Sequence, residues 1–132
     1  MTLHSPDTEA RALRVAAAIQ DFDELVTKLG IGARGPLPWQ RQLSAHLDGL
    51  AGLVQILRMS VMLERPDAEV RDTARALAEH TRQASLAIAG SRADLSTRVA
   101  LRLALNLAIT ISGGLHAPAP RPEAVAAGRL PD

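Results

Sequence analysis

Apolar residues recur every three or four positions along three consecutive segments, 5–30, about 39–64 and 67–90. This is the period at which side chains share one face of an α-helix. Gly30 and Gly90 stand where the first and third repeats stop, and glycine is typical just past a helix end. The buried faces predicted for these three helices are Val15, Ile19, Phe22, Val26 and Leu29; Leu43, Leu47, Leu50, Val54, Leu57 and Val61; and Val70, Ala74, Leu77, Thr81, Ala84 and Ile88.

The fourth apolar segment has a different period. Within 99–111 apolar residues occupy every second position, which is the pattern of a half-buried strand. Its length, its Leu and Ala content and the lack of a second strand-like segment favour a helix that starts at Ser91 and Asp94 and ends at 113–114. On a helix its polar residues stack at every fourth position: Arg98, Arg102, Asn106 and Thr110. Because the other positions are apolar all round, we expect this helix at the bundle centre or between subunits.

These four segments predict an all-α fold, an antiparallel four-helix bundle that occupies residues 1–114. The chain of 132 residues has the length of one domain. Residues 115–132 are rich in Pro and Ala and have no apolar period, so we expect a disordered proline-rich C-terminal tail. The apolar circumference of the fourth helix also leads us to expect a homodimer.

Composition excludes several classes of function. The 15 basic and 14 acidic residues leave a net charge of +1, and one Trp, one Phe and no Tyr offer little for bases to stack on, so we expect no nucleic-acid partner. The chain has no cysteine, which excludes disulfides, thiolate nucleophiles and cysteine-bound zinc. The N-terminus lacks a signal pattern and we identify no run of about 18 apolar residues, so we expect a cytoplasmic protein with no membrane partner.

The stretch GIGARG contains the letters of the dinucleotide-binding fingerprint, with Gly30, Gly32 and Gly35 in the order G-x-G-x-x-G. That fingerprint needs a strand before its first glycine and a helix after its last, so that backbone amides face the pyrophosphate. Here the preceding residues have a helical period, and two prolines follow. We interpret the stretch as a connector and predict no cofactor, with phosphate binding by Arg34 and the loop amides as the alternative.

Two histidines are the candidates for catalysis. His46 projects near the apolar face of the second helix, which indicates a boundary or core residue, with general-base or phosphotransfer chemistry as the alternative. Arg75 and His80, in RALAEH, resemble the R-x4-6-H signature of the HEPN superfamily, although Ala76 replaces its usual polar residue. This resemblance implies a helical bundle that acts as an RNase across a dimer interface. The alternative is a solvated face on which Arg75 pairs with Glu79.

The other polar clusters suggest binding sites. A predicted small-molecule pocket is lined by His46, His80, Arg98, Arg102 and Asn106. An acidic patch on the first helix consists of Asp21, Asp23 and Glu24. We interpret these acids as a solvated face that also supplies partners for the arginines of the fourth helix. Since no glycine turn or loop carbonyl accompanies them, we predict no metal site, with a hard cation as the alternative.

The second helix carries small and apolar residues away from its buried face. The predicted partner surface consists of Ala45, Gly49, Gly52, Ile56, Met59 and Met62. Methionines on an outer face are typical of surfaces that bind partners, and glycines let another backbone come close. In the alternative interpretation, another helix of the same bundle covers this flank.

We therefore expect a non-catalytic helical interaction or regulatory module that works as a homodimer through apolar surface presented by its helices. The first alternative is a small-molecule-binding bundle. The second is a histidine-dependent enzyme, either HEPN-like or a phosphotransfer protein.

Overall fold

The structure, a computed structural model, describes residues 6–116. These residues form four helices: α1 (Pro6–Gly32), α2 (Pro38–Met62), α3 (Asp67–Ala89) and α4 (Leu95–His116). No strand occurs among the described residues. The predicted all-α fold is therefore confirmed. The predicted disordered tail begins too early, because Leu115 and His116 are the last residues of α4, and the rest of that tail, 117–132, lies outside the described residues.

The four helices form an antiparallel bundle in which each helix packs against two others. α2 lies between α1 and α3, and α4 closes the bundle by packing against both α3 and α1. Within residues 6–116 the diagonal pairs, α1 with α3 and α2 with α4, are not in contact. Each helix consequently has an inner face, two flanks and an outer face.

Helical period predicts most of the core. All five predicted positions of α1 and all six of α3 are buried, including Thr81, whose hydroxyl donates to the Leu77 carbonyl oxygen at 2.6 Å. On α2 the buried series runs from Leu43 to Leu57 but does not reach Val61, which is 42% exposed. Val61 lies in the last turn of α2, where the chain leaves for α3, so that part of the prediction is wrong.

α4 is a helix despite its alternating sequence. Its inner face consists of Leu101, Ala104, Ala108 and Ile111. Four large apolar residues of α4 are more than half exposed: Leu95, Val99, Leu103 and Ile109. The predicted place of α4 at the bundle centre is wrong, because in a ring of four helices every helix keeps one face outside. The alternative place between subunits stays a prediction.

Glycines end fewer helices than we predict. Gly90 does follow α3, but α1 continues through Gly30 to Gly32, and α4 continues through 113–114 to His116. Glycine is favoured at a helix end mainly where the backbone turns left-handed, and no glycine among the described residues, Gly90 included, has a positive φ. Gly114 instead permits close packing, because a Cβ there would lie 2.5 Å from Cγ2 of Val15.

The start of α4 is capped by Asp94. Its Oδ1 accepts a hydrogen bond from the backbone N–H of Thr97 at 3.0 Å. The hydroxyl and the backbone N–H of Thr97 hold the pKa of the Asp94 carboxyl below its usual value. Ser91 shapes the preceding turn, since its Oγ accepts from the Ala93 N–H and donates to the Ile88 carbonyl. The predicted start at Ser91 is therefore early, and helix α4 begins at Leu95.

Candidate interaction surface

The glycine-rich stretch does not have the setting of a dinucleotide site. Gly30 and Gly32 belong to α1, and Ala33, directly after them, is buried. A helix, not a strand, precedes the turn, as the sequence predicts. The N-terminal amides of a helix therefore do not follow a strand here, and the fingerprint lacks its supporting geometry.

The catalytic candidates lie on two neighbouring helices, α2 and α3. His46 is half-buried on α2, and His80 is exposed on α3. Arg75 pairs with Asp72 at 3.6 Å, and its predicted partner Glu79 pairs with Arg82 instead. Catalysis at these residues stays a prediction.

The residues of the predicted ligand pocket lie on three helices, with His80 on α3. Arg98, Arg102 and Asn106 are exposed on α4, whereas His46 belongs to α2, which does not contact α4. Arg98 donates from Nε to the carbonyl oxygen of Ala93 at 3.0 Å, which ties it to the turn before its own helix. His46 therefore lies on the helix diagonally across the bundle from these three residues, and the pocket itself stays a prediction.

The acids of α1 do not pair with the arginines of α4. Asp23 accepts a hydrogen bond from Arg58 of α2 at 2.7 Å. Glu24 accepts one from Gln20 of its own helix at 3.0 Å. The predicted ion-pair seam between α1 and α4 is therefore wrong. Among the described residues no three His, Asp or Glu side chains are placed to hold a metal ion.

By length and composition α4 is apolar enough to cross a membrane over Leu95–Leu115, with a mean hydropathy of 1.3. The core helix of a bundle meets the same criterion. One face of α4 is packed against α1 and α3, so the criterion by itself assigns no membrane role. A location in the cytoplasm stays a prediction.

The predicted partner surface of α2 is open to solvent in the protomer. Ala45, Gly49 and Gly52 are exposed, and a Cβ built on either glycine would meet nothing within 4 Å. Ile56 and Met59 are 54% and 51% exposed. The alternative in which another helix of the bundle covers this flank is therefore wrong.

Two more apolar side chains belong near this surface. Met62, which was predicted, is 74% exposed, and Leu63, which was not, is 63% exposed. Leu63 joins Ile56 and Met59 in a shallow groove of about 370 Å³ that also includes Arg65. Its four-residue spacing from Met59 is the signal that identifies it. We call Ala45, Gly49, Gly52, Ile56, Met59 and Leu63 the α2 stripe.

Two arginines close to the α2 stripe have partners within the protomer, whereas Asp48, beside Gly49, is exposed. Arg58 pairs with Asp23 on α1, and Arg65 pairs with Glu69 at 2.9 Å. The hydrogen bond from Arg65 holds the pKa of Glu69 below its usual value. The six positions of the stripe itself carry no charge.

A separate pocket of about 410 Å³ lies at the end of the bundle where α2 starts and α3 joins α4. It is lined by Leu37, Pro38, Trp39, Gln42, Ser91 and Arg92. These residues come from two segments about fifty positions apart in the chain. No pattern in the sequence predicts that two such segments meet, so this pocket could not be predicted from it.

No family model, curated protein or solved structure matches the chain significantly.

Proposed function

We propose that this protein is a non-catalytic helical interaction module that works as a homodimer, and that two copies meet through the α2 stripe. The observation that carries this proposal is the stripe itself, an unbroken and uncharged row of exposed small and apolar residues. Contiguous apolar surface is rare on monomers and marks sites that bind a partner.

The stripe has a helical spacing of its own. Its positions follow each other by 4, 3, 4, 3 and 4 residues, so they form one row along the outer side of α2. The first three residues of the row are small, and the last three have large side chains. Over 45–63 the row is about 27 Å long, since a helix rises about 1.5 Å per residue.

This order makes the stripe complementary to itself. If a second copy lies antiparallel, with the twofold axis level with Val54, each large residue faces a small one. The facing pairs are Ile56 with Gly52, Met59 with Gly49, and Leu63 with Ala45. An isologous interface needs this reciprocity, because residue i contacts j of the partner while j contacts i. Side chains that enter glycine gaps let the two helices approach closely.

The glycines lack a role inside the protomer. A glycine within a helix is about 0.5–1 kcal/mol less favourable than alanine. Gly49 and Gly52 adopt ordinary helical φ values and touch no neighbouring helix, so neither backbone geometry nor packing in the protomer requires them. A second copy whose side chains fill the space above Gly49 and Gly52 would explain why glycine stands at these two positions.

Sedimentation equilibrium of the full chain tests the proposal. Gly52→Leu fills the gap that receives Ile56, so we expect dimer affinity to fall at least about 100-fold. Folding of the protomer should not suffer, because leucine favours helix and the added side chain meets open space. Gly113→Leu is the matched control, since Gly113 is also helical, exposed and free of neighbours within 4 Å.

Two results would contradict the proposal. One is a native chain that stays monomeric at about 100 μM, a concentration at which a stable dimer is fully formed. The other is a dimer that tolerates Gly52→Leu as well as it tolerates Gly113→Leu.

A further inference from the structure

The pocket beside Trp39 is built from apolar walls and one cation. Leu37, Pro38 and the half-buried Trp39 form one side, at the start of α2. Ser91 and Arg92, in the turn between α3 and α4, form the other. Its volume of about 410 Å³ lies within the range of roughly 300–1,000 Å³ that small-molecule sites occupy.

Arg92 gives this pocket a positive charge. It is the one charged residue among the six that line the pocket, and no acidic side chain is among them. Arg92 is exposed and forms no ion pair within residues 6–116. Its neighbour Ser91 is already engaged, since its hydroxyl bonds to Ile88 and Ala93. A guanidinium with free donors at the edge of an apolar pocket is complementary to a ligand with one carboxylate.

Trp39 determines what the rest of such a ligand should be. Part of the indole packs against the bundle core and part lines the pocket, so the ring is held in place before a ligand arrives. A fixed aromatic face favours a second ring stacked or placed edge-on. A pocket of this size holds one ring with a short chain.

We propose that this pocket binds a small aromatic monocarboxylate, with its ring against Trp39 and its carboxylate on Arg92. The site is independent of the proposed homodimer, because none of its six residues belongs to the α2 stripe. Its failure or success therefore leaves the proposed function unchanged.

The native chain carries its own reporter for the test. It contains one Trp and no Tyr, so intrinsic indole fluorescence comes from Trp39 alone. Titration with 3-phenylpropionate should give a saturable change in this emission. Its uncharged analogue 3-phenylpropanamide should bind about tenfold more weakly, because it lacks the charge-assisted hydrogen bonds to Arg92.

Arg92→Gln separates the carboxylate contact from the ring contact. We expect the variant to lose the roughly tenfold preference for the acid and to bind the amide as the native chain does. Arg41→Gln is the matched control, since Arg41 is exposed in the first turn of α2 and does not line the pocket. Backbone amide shifts at Ser91 and Gln42 should follow the same titration.

The proposal is overturned if neither compound changes the emission of Trp39 saturably up to about 10 mM, the weak limit of specific small-ligand binding. It is also overturned if Arg92→Gln keeps the preference for the acid, or if Arg41→Gln removes that preference as completely as Arg92→Gln does.

Discussion

The outer faces of α2 and α4 both expose large apolar side chains, yet they differ in how far a continuous apolar row extends along the helix. On α4, Leu95, Val99 and Leu103 follow each other at four-residue spacing and are 73%, 57% and 51% exposed, and Arg102 and Asn106 separate this short row from Ile109. On α2 the exposed row from Ala45 to Leu63 contains no polar residue. α4 is the more apolar helix as a whole, whereas α2 has the more continuous apolar surface.

This difference shows that the mean hydropathy of a helix does not tell how its exposed apolar side chains are arranged. Single apolar residues on a surface are normal, because a folded chain lacks enough polar atoms to cover itself. A row without interruption excludes water along its whole length when a partner covers it. We therefore propose the partner surface on α2, and an interface through the outer face of α4 stays the alternative prediction.

The largest effect should come from the inner face of α4. Leu101 is 1% exposed, so Leu101→Ala should lower the free energy of unfolding by about 3 kcal/mol through lost burial and a cavity. Leu103, two positions on, is 51% exposed, and Leu103→Ala should stay within about 0.5 kcal/mol. Urea denaturation of both variants measures the contrast. Equal losses would mean that the outer side of α4 is buried too.

A charge placed on each outer face compares them directly. If the proposed dimer forms through the α2 stripe, Ile56→Glu should weaken it at least about 100-fold, because the carboxylate would be buried against Gly52 of the second copy. Val99 is β-branched and similarly exposed, and Val99→Glu should leave the sedimentation of the chain unchanged. If Val99→Glu dissociated the dimer and Ile56→Glu did not, α4 would be the interface and our assignment would be reversed.

Alanine substitutions at two adjacent glycines of α4 should change the stability of the fold in opposite directions. Gly114→Ala forces a Cβ against the stiff side chain of Val15, so we expect a loss of about 1 kcal/mol. Gly113→Ala meets open space and should stabilise the protein by about 0.5 kcal/mol. Thermal denaturation of the two variants tests the register of α1 on α4, since a different register would remove the difference in sign.

The N-terminal ends of α2 and α4 are capped differently, and this difference predicts an effect of pH on stability. α4 has the Asp94 carboxylate as its cap, whereas at the start of α2 the uncharged Oε1 of Gln40 accepts a hydrogen bond from the backbone N–H of Leu37 at 3.1 Å. Since folding lowers the pKa of Asp94, its carboxylate stabilises the fold above the usual pKa of about 4, and this contribution is lost as pH falls through the folded value. Asp94→Ala should therefore lower the Tm at neutral pH, and this difference should shrink as the pH falls below the usual pKa of about 4. A difference in Tm that does not vary with pH would exclude this role.

The smallest effect should come from the polar positions of α4. Arg102 is exposed and pairs with none of the acids on α1 that the structure describes, so Arg102→Ala should change stability by less than about 0.5 kcal/mol. The value should be the same at low and high salt. A loss of 1 kcal/mol or more that salt removes would show that a carboxylate does face this arginine.

Local pattern was sufficient for the helices and for most of the core. The positions of α1 and α3 follow from the helical period alone, because one apolar face per helix leaves a single way to bury it. The composition of the α2 stripe could also be recognised in the sequence, since its residues lie one turn apart. The sequence could not show whether another helix covers that stripe, because this depends on the arrangement of all four helices.

The inner face of α4 and the Trp39 pocket were decided only by the tertiary structure. Alternating apolar residues on a helix point in every direction, so the sequence offers several equivalent faces. Packing chose the one on which Ala104 and Ala108 are small enough for α1 and α3 to come close, and on which Gly114 meets Val15. The pocket exists because the bundle brings Trp39 and Arg92 to the same end, and residues so far apart in the chain meet only once the helices have packed.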